Sequence, residues 1–357
     1  MIFQNLSMTA QTAFSQVVEV ALSIEHLRSV ADLPGAFVSK LVKGHKYWYY
    51  QYTEPAGVRR QVFVGPDGDA VHALIERAVK PAAAESLGPL VRSAAVLGCA
   101  EILPRHYRVL RRLAEYGFFK AGGVLVGTHA FVAYGNMLGV RWGGVDAVRT
   151  QDIDFAHAGK SISLVLAPNY QVQTHQAIES LNMGFLPIAG LSGKTGGAYL
   201  IPNEKEFRLD FLTTVGRSGD EPFEHPDLHV TLQPLRFMEF SLENVQQTAL
   251  LCGDSATMVN VPHPARYALH KLIIAGEREG VFQSKSNKDL MQAGLLLAAL
   301  KDIRPWEVEE AAADLVSRGK GWSSRAQRGL VALDRLFPEE RFSDWLKFAP
   351  SNEIGLA

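Results

Sequence analysis

The chain has 357 residues, with 36 Lys and Arg against 37 Asp and Glu, a net charge of −1 and 47% hydrophobic residues. That length and apolar content suffice for two or three domains with real cores, and a charged fraction of 20% argues against extended disorder. The near-neutral balance excludes a protein that holds nucleic acid through its overall charge, although a local basic patch remains open.

Two cysteines, Cys99 and Cys252, sit far apart among apolar neighbours. They read as buried free thiols in a reducing cytosol, and no Cys/His cluster has zinc spacing. The first residues, MIFQNLSMTAQTAF, lack the basic and apolar regions of a signal peptide. The longest apolar runs, such as AGLLLAAL at 293–300, fall far short of a membrane span. A cytoplasmic protein is expected.

The chain divides into three blocks, 1–100, 101–260 and 261–357. In the first, HKYWYYQYTEPAGVRRQVFVG (45–65) reads as a β-hairpin around a Glu-Pro-Ala-Gly turn. Across 40–60, Lys40, Lys43, Lys46, Arg59 and Arg60 face only Glu54 and are interleaved with Tyr47, Trp48, Tyr49 and Tyr50. That mixture suits a nucleic-acid backbone and its bases; the plainer alternative is a two-stranded element with one packed and one solvated face. Residues 68–96 follow as amphipathic helix with breaks at Pro81 and Gly88.

The second block is α/β. HYRVLRRLAEYGFF (106–119) has helical spacing, GGVLVG (122–127) reads as a short buried strand, and THAFVAYGNMLG (128–139) as a helix ending at Gly139. A loop carrying Arg141, Trp142 and Gly143 leads to RTQDIDF (149–155), read as a strand. Residues 172–183 read as helix, GFLPI, GAYLIP and FRLDFLT (184–213) as strands, and 214–228 as loop. The third block reads as a small bundle of helices over 264–279, 286–302, 306–319 and 323–337.

A strand alternates its faces with period two, so Asp152 and Asp154 would point the same way while Ile153 and Phe155 point the other. Two adjacent carboxylates repel unless a cation sits between them. Upstream, Val126-Gly127-Thr128 ends a strand and opens a helix; downstream, Phe207-Arg208-Leu209-Asp210-Phe211 offers one more carboxylate. Nucleotidyl transfer needs such a set: divalent ions held by carboxylates activate a hydroxyl and neutralise the leaving pyrophosphate, while a helix N-terminus receives the triphosphate. Arg208 shares a strand face with Asp210, so a structural ion pair is the competing explanation.

These features resemble the DNA polymerase β-like nucleotidyltransferase superfamily, and most closely its bacterial members described mainly by that fold. The resemblance runs through GTHAFVAYGNMLG, TQDIDF, FRLDFLT and HPARYALHKL, and extends over most of 40–300. It implies an α+β fold: a polymerase-β-like core of mixed sheet and helices, an N-terminal β-hairpin and helical appendage, and a C-terminal helical bundle. It implies a Mg2+- or Mn2+-dependent enzyme moving an NMP from an NTP to a hydroxyl. Carried over by residue, Gly127 and Thr128 match the triphosphate-binding turn, Asp152 and Asp154 the metal-binding pair, and Asp210 the third carboxylate, which helps deprotonate the acceptor. Lys271 falls where relatives place a base-stacking or triphosphate-contacting cation. Lys285 and Lys288 are alternatives for the same work, and Arg149 and Lys194 lie in loops that could reach phosphates. The Gly-rich stretch GNMLGVRWGGVDAVRTQ between Gly127 and Asp152 is a candidate substrate loop.

The acceptor stays open among RNA, such as a tRNA 3′ end as in toxin-type relatives with an antitoxin-like partner, protein hydroxyls, and small molecules. A non-catalytic nucleic-acid-binding or interaction protein on the same fold is the rival reading. Other motifs fail on counting: GLSGKTGG (190–197) would need glycine where Ile188 stands to be a Walker A loop, and no GxGxxG follows a strand. His263 and His270, seven apart, lack a third ligand nearby. His129 reads as a packing or capping residue.

Overall fold

Period-two runs of β-branched and aromatic residues and 3.6-period apolar stripes alternate along the chain, and both kinds of element appear where those patterns lie. In the computed structural model the described residues are 2–27, 35–53, 59–79, 82–143, 150–157, 172–189, 195–215, 219, 221–277 and 283–348. The elements before the middle block are β1 (Phe3–Asn5), α1 (Met8–Leu27), β2 (Gly35–Val42), β3 (His45–Thr53), β4 (Arg59–Pro66), α2 (Asp69–Val79) and α3 (Ala82–Val96). Next come α4 (Pro104–Glu115), β5 (Gly123–Val126), α5 (Gly127–Leu138), β6 (Val140–Trp142), β7 (Ile153–His157), α6 (Thr174–Glu179), β8 (Leu186–Ala189), β9 (Thr195–Ile201) and β10 (Glu204–Thr214). The rest are β11 (Phe223–His225), β12 (Val230–Leu235), α7 (Met238–Leu242), β13 (Val245–Cys252), β14 (Ser255–Pro262), α8 (Pro264–Glu277), α9 (Gln283–Ile303), α10 (Pro305–Ser317), α11 (Lys320–Leu336) and α12 (Phe342–Trp345).

The fold is α+β, as the sequence implied. Its centre is a mixed sheet of order β11-β12-β10-β7-β5, with β9 also pairing β10 and β8 completing that side. β10 lies parallel to β7 and β12 and antiparallel to β9, whereas β5 runs antiparallel to β7. Phe118, Phe155 and Phe211 pack ring on ring beneath this sheet, with Phe155 and Phe211 stacked 5.0 Å apart. One continuous core joins these strands to α4, α5 and the C-terminal helices α8–α11. A second core clamps α1 and α3 onto the β13–β14 hairpin. The buried Asn260 side chain locks that hairpin to the centre, donating from Nδ2 to the carbonyls of Phe119 and Gly123 at 2.7 and 2.8 Å.

Several local expectations need correction. Arg141 and Trp142 stand in a strand, not a loop: Gly139 caps α5 in the left-handed region and turns the chain, and β6 then pairs antiparallel with β1. Trp142 anchors that strand by stacking on Phe131 at 4.7 Å and donating Nε1–H to its carbonyl. The 214–228 stretch contains β11, a three-residue edge strand held by backbone pairing to β12 rather than by its own composition. Helix 172–183 shortens to α6, which ends at Glu179. Gly88 breaks nothing, because α3 runs through Gly88 and Pro89 with Val91 and Ala94 buried in the second core, and tertiary burial outweighs the local breakers. The basic hairpin is a three-stranded antiparallel sheet of order β2-β3-β4; its expected turn at 54–58 lies outside the described residues.

The C-terminal helices form the expected bundle, and its tightest crossing is α8 on α11. A Cβ on Gly329 would fall 2.1 Å from the Leu272 carbonyl oxygen, and one on Gly276 2.0 Å from that of Arg325. Backbone cannot yield as a flexible side chain does. Gly329→Val is expected to cost about 1–3 kcal/mol by overpacking, read as a lower urea midpoint, whereas Val331→Ala on the exposed side of α11 should change little.

Candidate active site

The site assembles where the end of β5, the start of β7 and the middle of β10 meet the first turn of α5. β7 and β10 are adjacent and parallel, and their register places Asp154 directly beside Asp210. On the other side of β7, Val126 pairs with Asp154, and the next residue, Gly127, begins α5. Ile153, Phe155, Leu209 and Phe211 point into the core, so the pleat turns Asp154 and Asp210 to the opposite face. Asp152 stands one residue before β7 rather than in it, at the mouth of the strand.

Gly127 is required by this geometry. Its φ is +64°, and a Cβ there would lie 2.0 Å from Asp154 Oδ2. The turn is fixed from behind by α8 and α9. The Tyr267 hydroxyl donates to the Gly127 carbonyl at 2.9 Å and lies 3.0 Å from Gln292 Oε1, while Gln292 Nε2 donates to Thr128 Oγ1 at 3.2 Å. Tyr267 and Gln292 brace the Gly127–Thr128 turn, and sequence reading missed both. The available signal was a polar Gln292 at the head of the apolar run AGLLLAAL.

Charge is crowded here. Burial pushes the Asp154 carboxyl up to about 6, with Asp210 and then Asp152 adding to the rise and Lys271 and Lys288 opposing it. Burial, and then the proximity of Lys271, lowers the Lys288 ammonium, against the pull of Asp154, Asp152 and Asp289. Lys271 is ion-paired with Asp289, and its Nζ sits 5.2 Å from the centre of the Tyr267 ring. Arg208 donates from Nη2 to Asp210 Oδ1 at 2.7 Å, so the ion pair weighed from the sequence exists beside the acidic cluster. Among the described residues no three His, Cys, Asp or Glu side chains form a cage able to hold an ion by themselves. Arg149 and Lys194 lie outside the described residues, as does the side chain of Lys285.

A cavity of about 1150 Å³ opens beside this corner, with Thr128, His129, Arg141, Trp142, Thr150 and Gln151 in its lining. His106 and His129, both buried, share a 2.9 Å hydrogen bond, and His129 Nδ1 has no hydrogen-bond partner among the described residues. His129 thus packs rather than caps. Burial, followed by the charge of His106, lowers His129 to about 3, and burial lowers His157 to about 4. An unfolded histidine near 6.5 binds a proton that these buried rings refuse. Their contribution to stability is therefore complete above pH 6.5 and is lost as pH falls toward 3–4. Urea titrations are expected to show about 2 kcal/mol lost per ring between pH 7.5 and pH 5, and His129→Gln should flatten that slope.

No curated protein matches the chain. Among solved structures it is similar to an antigenic nucleotidyltransferase-like protein from Paracoccidioides brasiliensis, at 16% identity and a TM-score of 0.30, covering 64% of this chain and 95% of that one. The sequence model of the nucleotidyltransferase family matches residues 105–317, which contain the Gly127 turn, all three aspartates, Tyr267, Lys271 and Gln292. By that match over more than half its length, the chain belongs to the nucleotidyltransferase family and is an enzyme of nucleotidyl transfer.

Proposed function

We propose that the enzyme moves an NMP from an NTP to a hydroxyl at the corner formed by Gly127, Thr128, Asp152, Asp154 and Asp210, releasing pyrophosphate. The observation that carries the reading is the juxtaposition of Asp154 with Asp210 on parallel strands, with Gly127 closed against the Asp154 carboxylate. The donors are all carboxylate oxygens, which fit a hard cation such as Mg2+ or Mn2+ whose remaining ligands are waters and phosphate oxygens. Asp152, Asp154 and Asp210 would hold it, and when bound it polarises phosphate and lowers the pKa of an attacking hydroxyl.

The protein's own groups do the rest. The first N–H groups of α5 face the triphosphate, and Gly127 lets it approach the backbone. Thr128, restrained by Gln292, and Tyr267, bonded to the Gly127 carbonyl, keep that turn rigid. Lys288 and Lys271 supply positive charge beside the aspartates; Asp289 holds Lys271 in place, and Arg149 is a further candidate phosphate contact. Arg208 orients Asp210, which accepts the proton of the acceptor hydroxyl as its oxygen bonds the α-phosphorus and the bond to the β-phosphate breaks. The acceptor favoured is RNA, supported by the cationic, aromatic 40–60 segment; protein and small-molecule hydroxyls are the alternatives. An antitoxin-like protein partner would fit the same reading. Among the described residues no helix is long and apolar enough to cross a membrane.

Calorimetry with a non-hydrolysable NTP tests the site. Binding that requires Mg2+ and is lost in Asp152→Asn/Asp154→Asn supports it; metal-independent binding unchanged in that variant contradicts it.

A further inference from the structure

The four consecutive rings Tyr47-Trp48-Tyr49-Tyr50 are dealt by the pleat of β3 to opposite faces of the β2-β3-β4 sheet. Trp48 and Tyr50 point to the face covered by α2. Trp48 donates Nε1–H to Asp67 at 2.6 Å and meets His72 of α2 edge to face at 5.9 Å, while His72 and Lys46 also contact Asp67. Those three contacts hold Asp67 down to about 2, and on this face the Asp67 carboxylate meets the Lys46 cation.

The other face is built differently. Tyr47 and Tyr49 point there together with Phe63 of β4, their rings lying 6.0 and 5.5 Å from that of Phe63. Phe63 is 56% exposed. Lys40, opposite Tyr47 on β2, lies with Nζ 5.2 Å from the centre of the Tyr49 ring and bonds Gln61, which in turn bonds Gln51. Arg59 pairs with Thr53 on the same face, and exposed Lys43 stands in the adjoining turn. No carboxylate occurs on that face among the described residues. Three rings flanked by amides and cations form a surface that an oligoanion with π-faces complements: bases stack on the rings while phosphates meet Lys40, Lys43 and Arg59.

We propose that this outer face of the β2-β3-β4 sheet binds single-stranded nucleic acid. The proposal rests on the RNA-acceptor reading for its use in catalysis, but strand binding is measurable without NTP or metal. Fluorescence anisotropy with 12-nucleotide single-stranded RNA and DNA, and a duplex of the same sequence, reads it directly. One or both single strands are expected to bind more tightly than the duplex, with a log–log salt slope of about −2 for three phosphate contacts. Tyr49→Leu and Phe63→Leu keep strand-forming apolar residues and should each weaken binding roughly ten- to hundredfold, the loss expected for one stacked base. Leu41→Ser, on the face turned away, should bind as the parent protein does, and all variants should keep the parent's NTP affinity and melting temperature. Undetectable binding of both single strands, equal binding of the duplex, or ring variants that bind normally while Lys40→Gln does not would overturn the proposal. Strand binding without any transfer would instead leave this face assigned and refute the acceptor reading alone.

Discussion

Asp154→Asn is expected to abolish transfer while making the apo protein more stable. The carboxylate lies beside Asp210 and near Asp152, and its ionised form is disfavoured enough to bring its pKa to about 6. Between the unfolded value of 3.8 and about 6 the folded protein binds the extra proton, so this group's contribution to stability falls as pH rises through that window. Above it the cost is complete, about 3 kcal/mol at most and less where water reaches the site. The isosteric amide removes the like charge and should raise the melting temperature at pH 7.5. On the proposed reading it also removes an anionic ligand from a bound ion that would supply several kcal/mol, so a rate loss on the order of 10³-fold is expected. Activity assays and calorimetry at pH 7.5 measure the pair. A variant both inactive and less stable would mean that Asp154 is held by interactions other than these.

Gly127→Ala combines two penalties at one atom. The residue sits at φ +64°, where a side chain costs about 1–2 kcal/mol, and its new methyl would lie 2.0 Å from Asp154 Oδ2. Either the first turn of α5 shifts or the Asp154 carboxylate leaves its position, and both displace the N–H groups proposed to meet the phosphates from the acidic pair. A loss of NTP affinity of at least tenfold and of stability by about 2–4 kcal/mol is expected, measured by calorimetry and urea unfolding. Gly127→Ala with native affinity would show that the triphosphate is bound elsewhere.

Much of this corner could be read from the sequence because its residues break local rules. A carboxylate between Leu209 and Phe211, or between Ile153 and Phe155, conflicts with the apolar strand around it, and a glycine between a buried strand and a helix marks a tight turn. What the sequence hid is long-range pairing. Tyr267 and Gln292 reach Gly127 and Thr128 across more than 100 residues, and no local pattern announces that. The β1–β6 pair joins Phe3–Asn5 to Val140–Trp142 for the same reason. β2 was more accessible: Lys43 and Gly44, both at positive φ, make a two-residue turn between Val42 and His45, and that short-range signal went unread beside the aromatic run that follows. The split of the Tyr47–Tyr50 rings between two faces follows from the pleat alone, but which face is covered needed α2 in place.

Nucleotidyl transfer is read most directly by label transfer from NTPs carrying ³²P at the α- or the γ-phosphate, with Mg2+ or Mn2+, to total RNA and to cell protein. Acceptor labelling is expected from α-labelled NTP only, with release of labelled pyrophosphate from γ-labelled NTP and loss of both in Asp152→Asn/Asp154→Asn. Acceptor labelling from the γ-position, or α-label transfer that survives in that variant, would contradict it.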